Sequence, residues 1–141
     1  MITMGTTPYH NFILPLKVKD IGAAYVTYTQ NGETILEKSL DDAGVEVIDI
    51  ADLYENASMN ESFSEDLLNS SQLSVHLTQE DTLSFIFTKN PLTRKNWVFI
   101  QVRILDKSGE VYASIPVKQK LIPAFHNEVI HEEEPEDGQD I

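Results

Sequence analysis

Cysteine is absent from all 141 residues. That excludes a disulfide framework and a thiolate metal site, and it is compatible with a reducing cytoplasm. Long apolar runs are missing too. None approaches the ~20 residues that span a bilayer, so no membrane contact is expected. From Met1 to Leu16 no basic segment precedes an apolar one, so no signal peptide is expected, and Met4 would serve as a start as well as Met1. There is no Gly-x-Ser-x-Gly elbow, no Gly-rich phosphate loop and no Asp-x-Asp-x-Asp-Gly calcium loop. Nothing speaks for a catalytic centre or a bound cofactor, and neither is expected.

Bases are scarce and unevenly placed. Formal net charge is −13, and no Lys or Arg occurs between Lys38 and Lys89. That gap holds Asp41, Asp42, Glu46, Asp49, Asp52, Glu55, Glu61, Glu65, Asp66, Glu80 and Asp81. The stretch after Lys120 adds Glu128, Glu132, Glu133, Glu134, Glu136, Asp137 and Asp140 without a base. Elsewhere ten bases stand against five acids. The net negative charge argues against non-specific nucleic-acid binding, which needs Lys and Arg to neutralise phosphates. Patches of opposite sign steer docking, so this pattern suits an assembly component better than an enzyme.

What is plentiful is period-two alternation, the strand signature. Phe12 and Leu14 alternate with polar neighbours before Pro15, which donates no ladder bond and so marks an edge. Ala24, Val26 and Tyr28 alternate with Tyr25, Thr27 and Thr29. Asn31-Gly32 then supplies the two positive-φ positions of a type I′ hairpin, with a return strand over 34–38. A turn at Asp41–Gly44 leads to a strand over 45–50. Leu73, Val75 and Leu77 alternate, residues 78–82 turn a tight corner, and Leu83, Phe85 and Phe87 predict a further strand. Val98, Ile100, Val102 and Ile104 form an inward face opposite Phe99, Gln101 and Arg103. A type I turn with a Gly bulge at Asp106–Gly109 precedes Val111, Ala113, Ile115 and Val117, read as the last core row.

Residues 51–71 break the alternation with Asn, Ser and acids, which favour turns over regular elements. A link this long inside a domain is functional or mobile as a rule. From Pro123 the apolar pattern fails, and residues 126–141 read as a solvated tail. Of the four histidines, His10, His76, His126 and His131, no pair has helical i, i+4 spacing. His76 falls on a polar face and reads as solvated rather than as a ligand. The sequons at Asn56, Asn60 and Asn69 read as chance in an Asn/Ser-rich loop.

Two features survive as candidate sites. Lys89, Arg94, Lys95, Arg103, Lys107, Lys118 and Lys120 face only two acids over residues 89–120. They are either plain solvated charge or a docking surface for an acidic partner. Tyr25, Trp97, Phe99 and Tyr112 fall opposite the expected core and would suit an interface or sugar stacking. A one-residue slip in the assigned face would reverse that placement.

The segment Met4-Gly5-Thr6-Thr7-Pro8-Tyr9-His10-Asn11-Phe12-Ile13-Leu14-Pro15 resembles the opening of a family of small phage and prophage proteins, Met-Gly-Thr-Thr-Pro-x-His-x-Phe-x-Leu-Pro. Residues 26–31, 77–83 and 100–103 are similar to further segments of that family, in the same order. Residues 51–71 and the acidic tail are longer than its usual form. The resemblance implies a small virion structural or accessory protein and carries no catalytic residues.

Together these readings predict an all-β, immunoglobulin-like β-sandwich of about 7–8 antiparallel strands over residues 1–122, with an acidic insertion at 51–71 and a flexible acidic tail over 123–141. The expected function is non-enzymatic: a phage or prophage structural or assembly protein, found in the virion or in the host cytoplasm during assembly. Its expected partners are other particle proteins or a second copy of itself. Arg94, Lys95 and Lys107 are the candidate charged contacts. The alternative is a carbohydrate-binding or adhesin-like module using Trp97, Phe99 and Tyr112.

Overall fold

Alternating apolar residues need a sheet whose one face is covered, and two sheets cover each other here. The computed structural model describes residues 1–54, 65–90, 96–124 and 129–130. Its strands are β1 (Ile2–Thr3), β2 (Tyr9–Leu14), β3 (Ile21–Gln30), β4 (Glu33–Ser39), β5 (Val45–Asp49), β6 (Ser71–His76), β7 (Trp97–Asp106), β8 (Val111–Ala113) and β9 (Val117–Ile122). The larger sheet has six strands in the order β1-β9-β7-β3-β4, with β8 also paired to β7. The smaller has three, in the order β2-β6-β5. All pairings are antiparallel except β1 with β9, which is parallel. The chain is therefore an all-β sandwich. Its core is the inner rows Ala24, Val26 and Tyr28 of β3, Val98 to Ile104 of β7, and Leu73 and Val75 of β6, with Ile2, Leu14, Leu77, Phe85 and Leu121.

The β3–β4 hairpin closes on Asn31 and Gly32, at φ 53° and 78°, with Gln30 paired to Glu33. This is the expected two-residue turn, whose twist matches that of the strands. The second expected turn also forms: Gly109 donates to the Asp106 carbonyl, Asp106 donates to that of Glu110, and Gly109 sits at φ 97°. Proline at 15 ends β2, which is indeed an edge strand.

Two expectations are corrected. Residues 83–87 do not form a strand. After the short helices α1 (Ile50–Leu53) and α2 (Glu65–Leu68), a third, α3 (Gln79–Leu83), occupies the expected corner. Thr78 and Asp81 cap it reciprocally, each side chain bonding the other's backbone N–H. Phe85 is buried, but the following backbone finds its partners in two carboxamides rather than in a neighbouring strand. The buried Gln30 side chain donates to the Ile86 carbonyl at 3.0 Å and accepts from its N–H at 2.8 Å. Asn96 clasps Thr88 in the same two-bond manner, at 2.7 Å each.

The row Val111, Ala113, Ile115 and Val117 is the second correction: all four are exposed, Val111 at 68% and Ile115 at 86%. Tyr112 turns inward instead, paired with Ile104. The register against β7 then slips by one residue, from Arg103↔Ala113 to Ile100↔Val117. Ser114 accounts for the slip. Its N–H donates to the Val102 carbonyl while its hydroxyl accepts from the Val102 N–H, so one residue satisfies both groups and the chain bulges around it.

The insertion is pinned at its ends, where the Ile50 N–H donates to the Ser70 carbonyl and Ile50 is buried. Residues 55–64 of the insertion and most of the acidic tail lie outside the described residues, as do His126 and His131.

Candidate functional site

Every second residue of β7 that points away from the core lies on the outer face of the larger sheet. Trp97, Phe99, Gln101 and Arg103 stand there in sequence. Register aligns Lys120 with Trp97 and Lys118 with Phe99 on one side, and Thr29, Thr27 and Tyr25 with Phe99, Gln101 and Arg103 on the other. Trp97 is held in place by its neighbour Asn96, which clasps Thr88 and whose carbonyl accepts from the Leu121 N–H at 2.7 Å. Exposed Lys89 follows Thr88 directly.

The face combines rings and cations. The Lys118 ammonium lies 4.0 Å from the centroid of the Trp97 ring, and the Arg103 guanidinium 5.6 Å from that of Tyr25. Each such contact contributes about 0.5–1 kcal/mol at an exposed site. Arg103 also pairs with Glu37 at 3.5 Å, and Thr27 donates to the same carboxylate. Arg103 is thus partly neutralised, whereas Lys118 and Lys120 face no acid across their pairings. Phe99 keeps 39% of its surface exposed between them.

The sequence candidates distribute as follows. Trp97 and Phe99 share this face, as expected, and so does Tyr25. Tyr112 does not: it packs inward against the core, and its hydroxyl donates to Glu110 at 3.0 Å. That bond, burial and the neighbouring carboxylates raise its pKa. Lys107 is exposed in the β7–β8 turn, its N–H donating to the Asp20 carbonyl at 3.0 Å. It stands at the far end of β7 from Trp97, about 30 Å away at ~3.3 Å per strand residue, and so joins no common patch with it. Arg94 and Lys95 lie outside the described residues.

Sequence reasoning missed a polar chain inside the sandwich. His10 of β2 and Tyr28 of β3 meet at 2.8 Å through Nδ1 and the phenol, joining the two sheets. Burial, then the N-terminal ammonium, holds His10 below 6.5. Burial and the charge of Asp81 push the Tyr28 phenol well up. Asp81 pairs with Lys38 at 3.0 Å, with only 13% and 15% of the two side chains exposed. Burial alone would raise Asp81, but the Thr78 N–H and the Lys38 ammonium outweigh it and hold the carboxyl below its usual range. Nothing local marks these contacts, because their partners come from separate strands. The same holds for His76, which is half-buried and stacked on Tyr9 at 3.9 Å rather than freely solvated.

Among the described residues no three His, Asp or Glu side chains gather as a metal site, and no helix is long and apolar enough to cross a membrane. Compared with known protein families, with curated proteins and with solved structures, the chain matches none.

Proposed function

We propose that this chain is a non-enzymatic structural or assembly protein of a bacteriophage or prophage, which docks by the outer face of its larger sheet onto an acidic surface of another particle protein. The observation that carries the docking is the row Trp97, Phe99, Lys118 and Lys120 on a chain of net charge −13. Aromatic side chains supply rigid contact area and are enriched at interface cores. The two lysines steer an acidic partner onto them while the remaining acids repel the wrong orientations. The phage assignment comes from the resemblance of residues 4–15 and the three further segments. The working location is the particle, or the host cytoplasm during assembly.

The second reading is a glycan-binding module, favoured by one feature: Thr27, Thr29 and Gln101 border the exposed Phe99 ring and would serve sugar hydroxyls. Salt separates the two. Charge contacts weaken as the Debye length shortens, from about 8 Å near physiological ionic strength to about 3 Å at 1 M, whereas ring stacking changes little. The tagged chain is used to capture a particle protein, identified by mass spectrometry, from induced lysate at low and high salt. The docking reading expects an acidic particle component whose capture falls roughly tenfold with salt or with Lys118→Glu/Lys120→Glu, a loss of about 1.4 kcal/mol. Capture indifferent to both, yet abolished by Trp97→Ala, transfers the face to the glycan reading. Charge reversal at Arg94 and Lys95 belongs to the same series.

A further inference from the structure

The acidic end of the chain is held to the body shortly before it runs out. Gln79, at the start of α3, donates its carboxamide N–H to the Ile130 carbonyl at 2.6 Å and accepts from the Ile130 N–H at 2.5 Å. Gln30 holds Ile86 by the same pair of bonds. Eleven residues follow Ile130, His-Glu-Glu-Glu-Pro-Glu-Asp-Gly-Gln-Asp-Ile, with six acids and no Lys or Arg.

The helix that holds Ile130 is itself tied to the Trp97 end of the larger sheet. Thr82 of α3 accepts from the Gly5 N–H at 2.9 Å and donates to the Thr6 carbonyl at 2.8 Å. Met4, one residue earlier, donates to the carbonyl of Ile122, which ends β9 two residues after Lys120, the partner of Trp97. Eleven extended residues reach ~36 Å. A domain of this size has a radius of gyration of about 14 Å, so that reach is close to a full diameter. From its hold, the acidic segment can lie over the outer face of its own molecule.

Charge selects where on the body it rests. Among the described residues, Lys38 pairs with Asp81 and Arg103 with Glu37. Lys17, Lys19 and Lys107 stand among Asp20, Asp49 and Asp106, with Asp49 accepting from the Val18 N–H. That leaves Lys118 and Lys120 beside Trp97, with Lys89 at the same end, all exposed. The insertion is a poorer match, since its residues 55–64 carry only Glu55 and Glu61. A tethered segment also meets its site at an effective concentration in the millimolar range, which a free partner at micromolar concentration must overcome. We propose that residues 131–141 cover the outer face of their own molecule, carboxylates on Lys118 and Lys120, so that an acidic partner docks only by displacing them. The regulation rests on the docking reading, whereas the contact itself needs no partner. A segment that covers the face nine-tenths of the time weakens a partner's apparent affinity about tenfold. Weakly acidic surfaces are then refused and strongly acidic ones admitted.

The chain has one tryptophan, Trp97, and no cysteine. A dansyl label on Gln139→Cys in the full chain therefore reports a single distance, by energy transfer from Trp97. Efficient transfer is expected at low salt, independent of protein concentration. It should fall by about half or more at ~1 M salt, where charge contacts are screened. Salt would instead contract a self-repelling segment that touches nothing, and so raise the transfer. Lys118→Glu/Lys120→Glu should give the same fall at low salt. So should Glu132→Gln/Glu133→Gln/Glu134→Gln/Glu136→Gln, which leaves the folded body unaltered. Transfer that holds or rises in salt, or that ignores both sets of variants, overturns the proposal. Transfer that grows with protein concentration assigns the face to the tail of a second copy and also overturns it. Capture from lysate is read separately. The Glu→Gln set should hold an acidic particle protein about tenfold more tightly than the wild type. Equal capture by the two chains overturns the regulation. No capture by either, with transfer as expected, removes the docking reading and leaves the contact standing.

Discussion

At the scale of single residues, the most consequential groups are polar ones inside the sandwich. Burial favours the neutral form of His10, whose Nδ1 meets the Tyr28 phenol. In the unfolded chain His10 takes up a proton below about 6.5, and in the native fold only at lower pH. The unfolded state therefore binds more protons in that window. Stability is present above 6.5 and is lost as pH falls through the native value. His10→Gln keeps a hydrogen-bonding group without titrating. Denaturation midpoints between pH 7 and 5 should fall for the wild type and stay flatter for this variant. Parallel pH profiles would show that His10 protonates freely in the native state.

At the scale of elements, side-chain amides take over from ladders. Residues 84–88 keep a strand's apolar residues but join no strand ladder, and Gln30 and Asn96 supply donor and acceptor pairs. A buried main-chain group left without a partner costs about 1–3 kcal/mol. Gln30→Leu, similar in size and apolar, should thus lower stability by roughly that amount. It should also speed amide exchange at Ile86 while sparing β7. An unchanged exchange rate at Ile86 would mean that the segment is held by Phe85 packing alone.

At the scale of the whole molecule, the first and last strands in sequence are neighbours in the larger sheet. β1 lies parallel to β9, with Ile2 opposite Leu121, and both side chains are buried. Parallel neighbours need a long connection, and here it is nearly the entire fold. Ile2→Ala should cost about 2–4 kcal/mol, as large-to-small core changes do. It should lower the denaturant midpoint without changing the slope. Shortening the chain to Met4 removes Ile2 and its strand together and should cost more, despite Met4 being an equally plausible start by sequence. A midpoint unmoved by Ile2→Ala would place β1 outside the cooperative unit.

Alternation determined that this chain is a sandwich and that Val98, Ile100, Val102 and Ile104 face inward, the Asn31-Gly32 pair that a hairpin turns there, and Pro15 that β2 lies at an edge. Each of these rests on contacts within a few residues, or on the bare need of an apolar row for cover. Only the tertiary structure decided the face of residues 111–117, because the hydroxyl and N–H of Ser114 find Val102 across the sheet and absorb one residue of register. A one-residue slip turns every side chain over, so Tyr112 left the predicted outer face and Val111 and Ile115 joined it. The fate of residues 83–87 was decided in the same way, by the carboxamide of Gln30, 56 residues before the Ile86 backbone that it bonds. The outer row of Trp97 and Phe99 was legible, since it mirrors β7's inner face. Lys118 over that tryptophan was not, because it depends on which strands become neighbours.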